Sequence, residues 1–351
     1  MPSGIYADNG MEAGASIKAD NTITMGFPKK GLYFNKGKEN SGCISIADIG
    51  YPDKIKNFKS KILLIEKDDV RCRIKKKLKN LDKYSRGRLG TLVGSKKYSG
   101  AAVLAIKSAV ESGSGIVKSM LPESIRSIIE TNSIESISVS FEDKNLGFLS
   151  KNPELIYGKK LAENSDCLLV GSGLDENVRS IKFASKVISF NSKNLVLDGS
   201  GLICLSNKNL NINDLPQSTI LTPHYREFSN IFEINIDRII ENPIDSLLSI
   251  VPHLEGRVLI LKGPTTIIVN SIGELLILSN GSEVLSTAGT GDVLAGIVSS
   301  LLSQGYSLDD SAMIGTWVHS EASSCYVQEK GEYGLTAYKL IDWISKTFNS
   351  I

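Results

Sequence analysis

Eleven consecutive residues hold the clearest chemical potential in this sequence: Ser286-Thr287-Ala288-Gly289-Thr290-Gly291-Asp292-Val293-Leu294-Ala295-Gly296. Small side chains let a backbone come close to a ligand, and a helix opening at Asp292 would offer unpaired amides and a positive dipole end. Together these make a cradle for phosphate oxygens. A carboxylate at that mouth can take the proton of an acceptor hydroxyl as phosphoryl transfer begins. An aspartate after a glycine-rich turn can also be a helix cap and nothing more. Here the run of small residues extends beyond what a cap needs.

Other polar residues follow apolar segments. His224 comes after Thr222-Pro223, Lys262-Gly263 after residues 258–261, Asp198 after residues 195–197, and Gly171-Ser172-Gly173 after residues 167–170. Lys262 can pair with phosphate or reach solvent, and the residue types leave both open. Asp198 stays open between capping, support of a metal ion and direct catalysis. Of the three histidines, His224 at a strand end can meet a ligand or bond its own turn. His319, beside Trp317 and Val318 in an apolar helical stretch, reads as packing, and His253 as surface.

The elements that must position these residues follow from the pattern. Residues 88–93, 116–120, 167–170, 195–197, 218–221 and 258–261 are short apolar runs that predict strands. Residues 266–270 and 275–279, separated at Gly273, predict a β-hairpin. Residues 101–111, 292–304 and 309–329 predict helices. The alternation predicts an α/β class, with a largely parallel sheet covered by helices on both faces. In such folds ligands sit beyond the carboxyl ends of the strands, where Gly94-Ser95, Gly171–173, Asp198, residues 222–224 and Lys262-Gly263 all fall.

The 351 residues are 41% hydrophobic and 22% charged, with a net charge of +2. That is an ordinary globular balance, with no charge argument for nucleic acid or a membrane surface. Basic runs such as Lys75-Lys76-Lys77 are short and read as a solvated face. Five cysteines (Cys43, Cys72, Cys167, Cys204, Cys325) are scattered and lack CxxC spacing, which argues against a disulfide framework or zinc site and fits a reducing cytoplasm. No basic segment followed by an apolar stretch opens the chain as a secretory signal, and no apolar run approaches the ~18 residues a bilayer span requires.

Gly289-Thr290-Gly291-Asp292 resembles the anion-hole motif of the ribokinase superfamily, and its extension through Gly296 resembles that of the ADP/ATP-dependent NAD(P)H-hydrate dehydratases. The resemblance covers roughly residues 87–345, in family order. Gly94-Ser95 with Tyr98-Ser99-Gly100-Ala101-Ala102 is similar to the first substrate-binding turn. Gly171-Ser172-Gly173-Leu174 is similar to a GPGLG turn, Thr222-Pro223-His224 with Glu227-Phe228 to TPH…EF, and Leu261-Lys262-Gly263 to LKG. Val318-His319 through Ala322 resembles a late helix.

The resemblance implies a ribokinase-like fold and repair of hydrated NADH or NADPH. Asp292 is then the base, and Ala101, Gly173, His224 and Asp292 contact the hydrate. Lys262, Gly263, Pro264, Thr265, Thr266, Ser282, Thr287, Gly289, Thr290 and Gly291 contact the nucleotide. It implies ADP or ATP as phosphoryl donor, with Mg2+, and a homo-oligomer; no residue is assigned as a metal ligand. Two departures stand out: Ser200 where the family usually has an acid, and Ser282 where it tends to have Asn.

Residues 1–60 differ in texture, with turn signals at Asp8-Asn9-Gly10 and Gly42 and strand-like pieces at 21–25 and 43–49. Pro2-Ser3-Gly4-Ile5, residues 19–24, Pro28-Lys29 and residues 41–52 resemble the end of an NAD(P)H-hydrate epimerase domain. That domain's upstream phosphate loop and the aspartate before its Pro-Ser-Gly run are not found in these residues. The expectation is therefore an incomplete α/β remnant at 1–60 without epimerase activity, a connector at 61–86 and a dehydratase domain at 87–351. A separate epimerase would then be a partner, and Met1 an internal methionine of a longer protein. The competing readings are a vitamin or sugar kinase of the same superfamily and a catalytically silent nucleotide-binding scaffold.

Overall fold

The computed structural model describes residues 1–56, 59–75, 82–191, 193–278, 280 and 283–351. Its strands are β1 (Asn21–Met25), β2 (Cys43–Ala47), β3 (Ile62–Ile65), β4 (Arg88–Leu92), β5 (Ile116–Pro122), β6 (Ile137–Phe141), β7 (Cys167–Val170), β8 (Asn194–Leu197), β9 (Thr219–Leu221), β10 (Val258–Leu261), β11 (Ile267–Val269) and β12 (Leu275–Leu278). All four side chains of β7 are buried. Successive residues of a strand face opposite ways, so an unbroken apolar run requires cover on both sides. Cys167 and Leu169 join a core shared with the helices Ser99–Glu111, Thr290–Ser303, Leu308–Lys330 and Ala337–Ser350. Leu168 and Val170 join a second core with Asn152–Asn164, Val178–Ser189, Ser200–Ser206 and Pro243–Leu254.

Ten strands form one sheet in the order β3-β12-β11-β10-β9-β8-β7-β4-β5-β6. Only β11 runs against the rest, as the middle of an antiparallel β10-β11-β12 unit. The chain steps outward from β4 to β5 and β6, then returns to the other side of β4 to lay down β7, β8 and β9. The direction of winding therefore reverses between β4 and β7. Doubly wound sheets take their ligands beyond the carboxyl ends of the strands at such a reversal. Two backbone bonds join the loops there: the Gly94 amide donates to the Ser172 carbonyl at 2.9 Å, and that of Gly171 to Leu92 at 3.1 Å.

The α/β class and the two covered faces match the expectation. The division at residue 87 needs correcting, because β3, inside the expected connector, belongs to the main sheet. Its four apolar residues pair in parallel with β12, Ile62 opposite Leu275 through Ile65 opposite Leu278. Lys76 and Lys77 of the basic run lie outside the described residues, as does Ser279, the expected last residue of β12. Residues 1–60 make a separate two-stranded parallel sheet from β1 and β2 and pack against the main body through Phe34, which is buried in the second core. Among the described residues no helix is long and apolar enough to cross a membrane.

Candidate active site

The helix Thr290–Ser303 begins at Gly289, whose φ of 92° is a left-handed conformation that disfavours any side chain. A Cβ there would stand 2.5 Å from Leu104 Cδ1 and 3.1 Å from Ala337 Cβ. The turn is thus held by apolar packing from behind. Val293 begins the regular ladder by donating to the Gly289 carbonyl at 3.2 Å. The amides of Gly289, Gly291 and Asp292 have no acceptor among the described residues, and the Thr290 amide makes only a long 3.4 Å bond to Thr287. Three free donors at a helix mouth are what an anionic oxygen needs. The Thr290 hydroxyl is spent on the loop itself, donating to the Leu285 and Thr287 carbonyls at 2.9 Å each.

Asp198, which the residue types left open, is the hub of the site. Its carboxylate is buried and accepts three bonds: from Lys262 Nζ at 2.7 Å, from Thr222 Oγ1 at 2.7 Å and from Ser172 Oγ at 3.0 Å. Asp198, Thr222 and Lys262 come from the carboxyl ends of the adjacent strands β8, β9 and β10, and Ser172 from the loop after β7. The topology therefore delivers them to one point. Lys262 Nζ also lies 3.3 Å from where a Cβ on Gly291 would stand, so the lysine reaches the helix mouth. Burial opposes its charge, but Asp198, Glu227 and Asp292 outweigh that and hold its ammonium above the ordinary lysine value.

Asp292 sits in the opposite field. Burial, then the negative charge of Asp198, push its carboxyl from 3.8 up to about 7, with Lys262 and Ser172 pulling the other way. A carboxyl poised near neutrality is suited to accept a proton at physiological pH. Behind it His319 is buried, and desolvation lowers its pKa to about 4. Its Nε2, 2.9 Å from the Thr290 carbonyl, must therefore carry the hydrogen of a neutral ring. This histidine packs as expected and also pins the first residue of the helix.

The other expected residues fall around this centre. Ala101 and Gly173 are brought together, with Ala101 Cβ 2.9 Å from where a Cβ on Gly173 would stand. His224 caps the helix Tyr225–Phe232, its Nδ1 accepting from the amides of Arg226 and Glu227 at 3.1 and 3.2 Å. That leaves Nε2 as the protonated nitrogen, 3.6 Å from Glu227 and exposed to solvent. Gly263 lies against the Tyr225 ring, and its successors Pro264 and Thr265 are bonded by residues of the N-terminal segment. Thr266 ends the loop, its carbonyl accepting from Leu278 at 3.0 Å. Thr287 is exposed on the loop before the helix; Ser282 lies outside the described residues. His253 is exposed, as read.

Glu227 and Ser172 stand out in the sequence only as parts of motifs, although both shape the electrostatics of Asp292. The roles of Asp198, Glu227 and Ser172 depend on which strands are neighbours, which one-dimensional spacing does not reveal. A cavity of about 750 Å³ lies at the other end of the sheet, lined by Arg86, Gly113, Gln304, Tyr306 and Phe348. It adjoins the amino ends of β4 and β5 and none of the residues above.

Residues 89–346 match the family described as NAD(P)H-hydrate dehydratase. A bifunctional NAD(P)H-hydrate repair enzyme of Dictyoglomus turgidum is 30% identical over 97% of this chain, and one of Helicobacter pylori is 30% identical over 99%. The one from Thermofilum pendens is 28% identical over the whole chain. The chain spans 66%, 67% and 66% of these relatives' own lengths, respectively. Among solved structures, a ribokinase-like superfamily protein of Enterococcus faecalis superposes with a TM-score of 0.73 at 21% identity, covering 84% of this chain and 97% of its own. An ADP/ATP-dependent NAD(P)H-hydrate dehydratase of Bacillus subtilis, co-crystallised with ATP and Mg2+, gives 0.70 at 21%, covering 82% and 98%. The fold is ribokinase-like, and the chain belongs to the NAD(P)H-hydrate dehydratase family.

Proposed function

We propose that this chain restores NADH and NADPH from the S epimers of their hydrates, using ADP or ATP as phosphoryl donor. The observation that carries the reading is Asp292, set in the field of Asp198 and Lys262 at a helix mouth where, among the described residues, the amides of Gly289, Gly291 and Asp292 have no acceptor. Hydroxide is a poor leaving group from the reduced ring, and phosphate is a good one. Asp292 removes the ring hydroxyl's proton while the amides of Gly289, Gly291 and Asp292 hold the migrating phosphoryl group. The oxygen then departs as phosphate, driven by the lone pair of the ring nitrogen, and the resulting iminium loses a proton from the adjacent ring carbon to restore the ring double bond. Lys262 balances charge at the helix mouth, and Ala101, Gly173 and His224 border the hydrate.

The residues suit a nucleotide better than a resident metal. Among the described residues no group of three or more His, Cys, Asp or Glu could hold a metal ion. Magnesium would be held by the donor's phosphates with a carboxylate from Asp198 or Asp292, supplying neutralisation of phosphate charge. The same reading includes no epimerase activity of the 351 residues alone, because the phosphate loop and acidic partner that the epimerase resemblance calls for are not among them.

The test incubates the protein with a separated mixture of S and R hydrates of NADH, Mg2+ and either nucleotide, following absorbance and residual epimers. Loss of the S form with matching return of NADH is expected, at an R-form decay no faster than without protein. No recovery with either nucleotide would defeat the dehydratase reading. Accumulation of a stable phosphorylated product would instead favour a kinase of the same superfamily.

A further inference from the structure

The loop that joins β10 to β11, residues 262–266, is fixed at every position, but by two different parts of the chain. Its ends belong to the main body. The Lys262 amide donates to the Pro223 carbonyl at 2.8 Å, Gly263 lies against Tyr225, and the Thr266 carbonyl accepts from Leu278. Its middle does not. The ammonium of Lys38 donates to the Pro264 carbonyl, and the hydroxyl of Thr265 donates to the Tyr33 carbonyl. These are the only hydrogen bonds to those two groups among the described residues.

The segment making these bonds is built to hold its shape. The Gly37 amide donates to the Gly10 carbonyl at 2.9 Å, and that of Gly31 to Ala7 at 2.7 Å. A Cβ on Gly37 would stand 1.7 Å from the Gly31 carbonyl oxygen, so only glycine allows this backbone approach. Leu32 and Phe34 are buried at 1% and 3% exposure. Tyr33 and Lys38 are thus carried on a packed unit. Burial draws the Lys38 ammonium below the ordinary lysine value, against the opposing pull of the Glu283 carboxylate on the segment leading to Gly289. A side chain with such rotamer freedom, held partly buried on one carbonyl, is fixing that carbonyl in place.

We infer that Tyr33 and Lys38 are positioning residues for the nucleotide: residues 1–60 shape the loop that receives the phosphoryl donor and so set its affinity. The inference rests on the reading of residues 262–266 as nucleotide contacts. Its reach is limited to donor binding, because among the described residues neither Tyr33 nor Lys38 makes a hydrogen bond or ion pair to Asp292, Asp198, Ala101, Gly173 or His224.

Calorimetric titration of the full chain with ADP and with ATP plus Mg2+, without hydrate, separates this from turnover. Lys38→Met is expected to weaken nucleotide binding about tenfold, the scale of one charge-assisted bond, with Lys38→Arg restoring most of it. In steady state Lys38→Met should raise KM for the nucleotide by a similar factor and leave kcat at saturating nucleotide within about twofold. Lys38→Gln, which keeps much of the aliphatic stem but not the charge or the reach, should weaken binding as well and decides the matter if Lys38→Met does not fold. Wild-type affinity in both variants, or a fall in kcat with nucleotide KM unchanged, would overturn the inference. A wild-type protein that bound neither nucleotide would overturn the reading of the loop itself.

Discussion

Asp292→Asn is expected to cut kcat/KM by about 10³, within the range for a lost general base, and at the same time to make the protein more stable at pH 8. The two effects share one cause. Burial and Asp198 raise the Asp292 carboxyl to about 7, so the folded state disfavours the charged form that catalysis uses. A group raised in this way contributes stability that is complete below its unfolded pKa and disappears as pH climbs through the folded value. Asparagine keeps that contribution at every pH. The rise from 3.8 to about 7 sets a ceiling of about 4 kcal/mol, and water reaching a partly exposed carboxyl reduces the expected gain to about 1–2 kcal/mol. Urea unfolding without nucleotide should show that gain at pH 8 and almost none at pH 4. In the wild type, kcat/KM should fall tenfold per pH unit below about 7 and level off above. A flat profile, or a variant less stable than wild type at pH 8, would remove Asp292 from this role.

Lys262→Met and Asp198→Asn should move that acid limb in opposite directions. Lys262 lowers the Asp292 pKa and Asp198 raises it, so removing the lysine shifts the midpoint to higher pH and removing the aspartate's charge shifts it lower. Both variants will be slower, but the midpoint does not depend on the height of the plateau. Lys262→Met also leaves a buried carboxylate without its cation. The pair is 2.7 Å apart, with the Asp198 side chain 4% exposed, so the expected loss is about 3 kcal/mol of stability. Adding Asp198→Asn should recover part of it, a coupling of about 1–2 kcal/mol in a double-mutant cycle. Shifts of the same sign in the two single variants would mean that the field at Asp292 is set by something else.

Much of the fold was legible because the signals are local. Residues 167–170 and 258–261 are unbroken apolar runs of strand length bounded by glycine or charge, and both appear with those limits. The edge strand Ile137–Phe141 escaped notice because it alternates apolar residues with serine and is only partly buried. Ile62–Ile65 is an apolar run that falls inside the expected connector, since no local pattern reveals a partner near residue 275. The site divides the same way. Asp292 and its glycines form one contiguous signal, whereas the Asp198 hub draws on Ser172, Thr222 and Lys262 from separate loops. His224 shows what residue type leaves open: its Nδ1 bonds its own turn while Nε2 stays exposed, so both functions foreseen for it fit one side chain.

The pairing of β3 with β12 has a consequence for how the molecule comes into being on the ribosome. Ile62–Ile65 is made well before residues 275–278 and must wait for them before it has a neighbour in the sheet. When Leu275–Leu278 does emerge, it presents an apolar edge that only the waiting strand shields, and bare edges of this kind seed aggregation. Closure of this edge of the sheet therefore joins two segments made far apart in the synthetic order. Of the two strands, the one made first thereby serves as a built-in guard for a surface produced much later.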